Sequence, residues 1–99
     1  MTWMVYQDTD SEADALLRYA DVLVRKMEGL LRDAESGQPG LVPRDVLVES
    51  EEIREDLMHY YVRAHNLGRY SEEPSYLRPH RRLCALETAL EPYAEPRED

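Results

Sequence analysis

The stretch from Ser11 to Glu35, SEADALLRYADVLVRKMEGLLRDAE, decides the fold class. Leu16, Ala20, Leu23, Met27, Leu30 and Ala34 recur at spacings of three and four, and Leu17, Val24 and Leu31 widen them into the broad apolar stripe of a core-facing helix. Asp10 or Ser11 can cap its start, with Glu12 and Asp14 in the first turn, where the helix dipole favours negative charge. Gly29 lies inside the stripe at a cost of about 1 kcal/mol relative to Ala, and a close helix crossing is the reason expected for it. The run Glu35-Ser36-Gly37-Gln38-Pro39-Gly40 closes the helix with loop chemistry.

The flanks extend this pattern. Residues 1 to 7 are β-branched and aromatic in character and predict a short extended N-terminal segment. Pro43 suits a first helical position, after which Val46, Ile53, Leu57, Tyr60, Ala64 and Leu67 share a helical face ending near Gly68. Val46-Leu47-Val48 weakens the opening turn, and Ser50 before Glu51-Glu52 offers a later cap, so this element can form in one piece or two. Residues 69 to 78 read as a connector containing Pro74. Pro79 then opens a third helix carrying Leu83, Leu86, Ala89 and Leu90 up to Pro92. The expected fold is all-α: a small antiparallel bundle of three main helices, or four if the second splits. It forms one domain over residues 1–93, with a frayed acidic tail over 94–99.

Charge narrows the function classes. The 99 residues hold 12 basic and 21 acidic side chains, a net charge of -9, which opposes general binding to duplex DNA or anionic membranes and favours a basic partner. Residues 1–57 carry 14 acids and 6 bases, residues 58–83 carry 2 acids and 5 bases, and residues 84–99 carry 5 acids and 1 base, so the chain is polarised. A single cysteine, Cys84, excludes an internal disulfide and any two-cysteine metal motif. With no signal-like start in Met1 to Gln7 and no apolar run near 18 residues, a cytoplasmic protein is expected.

Two segments have the composition of a protein interface. Glu51, Glu52 and Glu55 form a dense acidic run able to steer a basic partner. Tyr61, Arg63, Arg69, Tyr70, Arg78, Arg81 and Arg82 lie in a tyrosine and arginine stretch, the residue types enriched at interface hot spots. Competing readings are a solvated acidic helix face, and a core role for Tyr60 and Tyr76 with the arginines paired to Glu72, Glu73 and the acids of helix one.

Two chemistry-bearing patterns are present as well. Asp56 and His59 sit three apart on one helix, and Glu28 falls among Leu17, Val24 and Leu31, a partial version of the carboxylate and carboxylate-x-x-His set of di-iron bundles; His80 and Cys84 are also one turn apart. The segment from Arg54 to Tyr61 has the form R-x-x-x-x-H-x-Y and resembles the motif of the HEPN superfamily of helical ribonucleases. That resemblance implies phosphate stabilisation by Arg54, proton transfer by His59 and assistance from Tyr61. It spans eight residues, in a chain short for that bundle and amid Glu51, Glu52, Glu55 and Asp56, which repel RNA.

The reading that follows is a non-enzymatic protein-binding regulator, inhibitor or immunity-type partner with neither cofactor nor metal. Because a core of this size is marginal, a homodimer or a bound partner would add burial. The alternative is a HEPN-like ribonuclease (Arg54, His59, Tyr61) or a metal-binding bundle (Glu28, Asp56, His59).

Overall fold

The computed structural model describes residues 2–37 and 41–96, with side chains from Ser11 onward. It is all-α: α1 spans Thr2–Glu35, α2 Arg44–Asn66 and α3 Glu73–Leu90, with single 3-10 turns at Tyr70–Glu72 and Glu91–Tyr93. Contacts such as Tyr19 to Glu49 and Tyr60 to Glu12 set α1 and α2 antiparallel, and Arg44 to Glu91 and His65 to Glu73 set α2 and α3 antiparallel. The chain is therefore an up-down-up bundle. Its core joins Ala13, Ala20, Leu23 and Met27 of α1 to Val46, Leu47, Leu57 and Ala64 of α2 and Tyr76, Leu83, Leu86 and Leu90 of α3. Among the described residues no helix is long and apolar enough to cross a membrane.

The apolar stripes place this core, but three local expectations are corrected and one alternative is decided. The N-terminal segment is helical from Thr2 instead of extended. No Gly or Pro interrupts the chain before Gly29, so Thr2 and Val5 lower helix propensity slightly without stopping the helix, and Ser11 passes from cap to interior. At 34 residues α1 is about 51 Å long, matching the 50 Å long dimension of the molecule. A Cβ placed on Gly29 would meet nothing within 4 Å, so the glycine serves no close crossing. The second helix is one piece, and Ser50 lies inside it, fully buried, instead of capping a later start. Helix three begins at Glu73 with Pro74 in its first turn, while Pro79 sits inside it. Pro74 performs the opening role because its missing N–H is an orphan there, whereas Pro79 forfeits a bond to the Ser75 carbonyl. Packing of the buried Tyr76 and the half-buried Leu77 and Pro79 holds that turn in place.

Both ends of the bundle are closed by backbone chemistry. After α2, Gly68 at φ 73° lets the Arg69 N–H reach the Ala64 carbonyl at 2.8 Å and its own N–H reach His65 at 3.1 Å, a Schellman closure. At the other end Val42 and Ala94 form a parallel bridge, with Val42 N–H to the Tyr93 carbonyl at 2.9 Å and Glu95 N–H to the Val42 carbonyl at 3.0 Å. Arg44 donates to the Glu95 carbonyl and to both carboxylate oxygens of Glu91. Ordered chain thus continues past Tyr93, where the tail was expected to fray, through Glu95; residues 97–99 lie outside the described residues.

The α2–α3 register is set by one carboxylate. Glu87 accepts from Ser50 Oγ at 2.7 Å and from Arg54 Nε and Nη2 at 2.5 and 2.8 Å, a bidentate grip plus a hydroxyl. Among the described residues no buried side-chain polar atom lacks a partner.

Leu23→Ala and Leu57→Ala are each expected to cost about 2 to 5 kcal/mol, since both side chains are essentially fully buried; an unchanged urea midpoint would remove either residue from the core. Glu87→Ala is expected to cost about 2 to 3 kcal/mol by stranding Ser50 and Arg54. The triple change Ser50→Ala, Arg54→Met, Glu87→Leu, which removes every member together, should cost less than Glu87→Ala alone in the same urea titration.

Candidate protein-binding surface

The outward face of α2 is built by helical spacing. Leu57, Ala64 and Val46 point into the core, so residues on the opposite side, Val48, Glu51, Glu55, Met58 and Val62, must face solvent. Val48, Met58 and Val62 are 45, 38 and 48% exposed, and Glu51, Glu52 and Glu55 are exposed beside them. Among the described residues none of these three glutamates forms an ion pair or hydrogen bond. The face is a mixed strip of exposed aliphatic surface and exposed negative charge, on which Arg54 acts from the side of Glu51.

The tyrosine and arginine residues do not join it as one patch. Tyr61 is half-buried with Glu73 beside it raising its phenol above the ordinary tyrosine value, and Glu73 also lies 3.5 Å from His65 Nδ1. Tyr70 is 60% exposed and meets the His65 ring edge-on at 5.4 Å, so Tyr61, His65 and Tyr70 form an aromatic ladder at the α2–α3 turn. Arg69 stands 4.0 Å from Glu72. Arg63 borders a crevice with Ala13, Ala64 and Tyr76. Arg81 is exposed close to Tyr61, while Arg78 and Arg82 belong to a cleft between α1 and α3, where Arg82 pairs with Glu28 at 2.6 Å. The ten expected interface residues thus fall in four regions: the outward face of α2, the α2–α3 turn, the Arg63 crevice and the α1–α3 cleft. Tyr76 is core and stacks on Tyr60 at 6.1 Å.

A cleft of ≈ 590 Å³ between α1 and α2 drew no attention in the sequence, because no pattern along the chain records which residues of two helices face each other. Leu16, Ala15 and Ile53 line it, with Glu12, Asp56 and His59 at its edges. Tyr19 Oη donates to Glu49 at 2.5 Å across it, and Tyr60 Oη to Glu12 at 3.4 Å. Both phenols titrate above the ordinary tyrosine value, Tyr19 chiefly through its bond to Glu49 and Tyr60 chiefly through burial.

The residues of the ribonuclease-like motif are separated. Arg54 and Tyr61 lie toward α3, with Arg54 held by Glu87, whereas His59 lines the α1–α2 cleft with its ring edge-on to Tyr60 at 5.7 Å. Glu28 is likewise apart from Asp56 and His59, being on the α1–α3 side with Arg82. Among the described residues no group of three or more His, Cys, Asp and Glu side chains has a metal-holding arrangement. Cys84 is exposed. Comparison with protein-family models, curated proteins and solved structures gave no match.

One titrating group adjoins the α2–α3 contact. His80 is half-buried, and burial first and the Arg54 charge second push its imidazolium below the ordinary histidine value, with Glu87 opposing. The unfolded chain therefore holds this proton more tightly than the folded one. The contribution of His80 to stability is complete above the ordinary value of 6.5 and is lost as pH falls through the lower folded value. Urea midpoints at pH 7.5 and pH 5.5 should differ less in His80→Gln than in the wild type; an equal difference would assign the acid loss elsewhere.

Proposed function

We propose that the chain is a non-enzymatic protein-binding module, acting as a regulator, inhibitor or immunity-type partner that engages a basic protein surface in the cytoplasm. The observation that carries this reading is the outward face of α2. A merely solvated helix face has no need of Val48, Met58 and Val62 between its charges, and a folding role would pair Glu51, Glu52 and Glu55 with the bundle's arginines. Instead Arg44, Arg54 and Arg82 are turned to Glu91, Glu87 and Glu28. Exposed aliphatics ringed by acids without ion pairs among the described residues give an encounter steered by charge and a complex held by desolvated contacts. The Tyr61, Tyr70 and Arg81 end of the bundle adds aromatic and guanidinium anchors beside it.

The test is affinity capture from the organism that carries this chain, with wild type, Glu51→Lys/Glu52→Lys/Glu55→Lys and His59→Ala as parallel baits. A basic protein held by the wild type and by His59→Ala, and lost by the charge-reversed triple, is the expected result. Its association should slow as salt rises, and Tyr61→Ala or Arg81→Ala should speed dissociation. Capture indifferent to the triple, or RNA cleavage abolished by His59→Ala, would overturn the proposal.

A further inference from the structure

We propose that the cleft between α1 and α2 docks a single amphipathic helix of a protein partner, an apolar stripe flanked by lysine or arginine, seated as the fourth helix of the bundle. This rests on the reading of the chain as a binding module and goes beyond it in naming the seat and the form of the ligand.

Length sets the form. Among the described residues the cleft runs from Glu12 to Tyr19 on α1 and from Ile53 to Tyr60 on α2, eight residues and seven helical rises on each wall. That is about 10.5 Å, or two helical turns. A trough of this length between two helices matches a third helix contributing apolar side chains at i, i+3 or i+4, and i+7. Ala15, small and exposed on the α1 wall, leaves room for such an anchor, and Leu16 and Ile53 supply the aliphatic floor. The walls are held apart at fixed spacing by two reciprocal bridges, Tyr19 to Glu49 and Tyr60 to Glu12.

Charge sets the ligand. Glu12 and Asp56 line the cleft and Glu49 stands at its Tyr19 end, whereas no lysine or arginine lines it among the described residues. His59 is its only potential cation. The neighbouring α1–α3 cleft differs in holding charges of both signs, Asp21 with Arg78 and Arg82. A second copy presenting the same seam would place like charges face to face, and the lining acids fit a basic segment of another chain.

The probe is a fluorescein-labelled synthetic peptide of about 15 residues, with leucines at i, i+4 and i+7 and lysines on both flanks. Its companions are a scrambled peptide of equal composition and one with glutamates for lysines. Fluorescence anisotropy near 0.15 M salt should show saturable binding of the first peptide. Ala15→Trp, which fills the trough, and Glu12→Lys/Asp56→Lys, which inverts its rim, should each weaken it by about tenfold or more, and both companion peptides should be weaker by a similar factor. All three positions are exposed, and circular dichroism will confirm that each variant is folded. Equal affinity of the wild type and Ala15→Trp, equal affinity for the scrambled peptide, or no saturable binding would overturn the proposal. So would a dimer seen by sedimentation that Ala15→Trp dissolves, since that assigns the cleft to a second copy.

The Glu51→Lys/Glu52→Lys/Glu55→Lys triple separates this proposal from the reading beneath it. Partner capture lost by the triple but kept by both cleft variants removes the docking groove alone. Peptide binding that follows the cleft variants, with partner capture indifferent to the triple, keeps the groove and removes the outward face.

Discussion

Two helices meeting at a fixed register need something more directional than leucine contacts, and here the Glu87 carboxylate supplies it. Ser50 and Arg54 are one turn apart on α2 and both donate to it. Sliding α3 by one turn, about 5.4 Å, would keep much of the aliphatic burial but would leave a buried hydroxyl without its acceptor and a guanidinium without its fork. The desolvation of such a group offsets much of its Coulomb attraction, so its net effect on stability is modest. Its effect on register is large because the penalty for misalignment is not shared by any alternative pairing. Once α2 and α3 are set, Arg44 reaches Glu91, Val42 meets Ala94, and Tyr61 and His65 come to Glu73 at the opposite end. α1 then completes the core through Ala20, Leu23 and Met27.

The same pairings decide where charge remains. Arg44, Arg54 and Arg82 take their partners from Glu91, Glu87 and Glu28, so, of the described residues, the acids of the outward face of α2 and of the α1–α2 cleft are among those left without an ion pair. A net charge of -9 is therefore not spread evenly over the surface. Concentrated fields of this kind raise encounter rates with oppositely charged partners, and salt at cellular strength leaves them effective within about 8 Å of the surface.

The fold class and much of the core were legible because helical periodicity is local: Leu23, Met27, Leu57, Leu83 and Leu86 each announce a buried face within a single turn of sequence. The helix boundaries were less so. Asp10-Ser11 and Pro79 carry real start signals, but such a signal only permits a start, and an uninterrupted chain before it or a packed turn around it overrides the preference. Ser50 and Arg54 were misread for a different reason. They read as a cap and a motif residue, Glu87 carries no signal of its own, and only the meeting of two helices 33 to 37 residues apart in sequence turns the three into one network. Of the candidate site, the exposed acids Glu51, Glu52 and Glu55 were legible from composition, while the dispersal of the arginines over three surfaces and the existence of the α1–α2 cleft depend on helix pairing that no spacing records.

That cleft persists because its walls are joined by polar bridges at its margins instead of aliphatic packing along its length. Tyr19 and Tyr60 stay protonated far into the alkaline range, their phenols titrating above the ordinary value, so each remains a donor to a glutamate on the facing helix. A phenol is long enough to span a seam without filling it, and its hydroxyl keeps the carboxylate oriented without neutralising it. Replacing either pair with leucines would draw the walls together over an aliphatic contact and remove an acid from the rim. The tyrosine–glutamate bridges thus act on three properties together: with the core they hold the spacing of α1 and α2, they flank the half-buried Leu16 and Ile53, and they place negative charge beside that aliphatic floor. A site shaped in advance has less ordering cost to meet on binding, so a modest contact area can hold a partner.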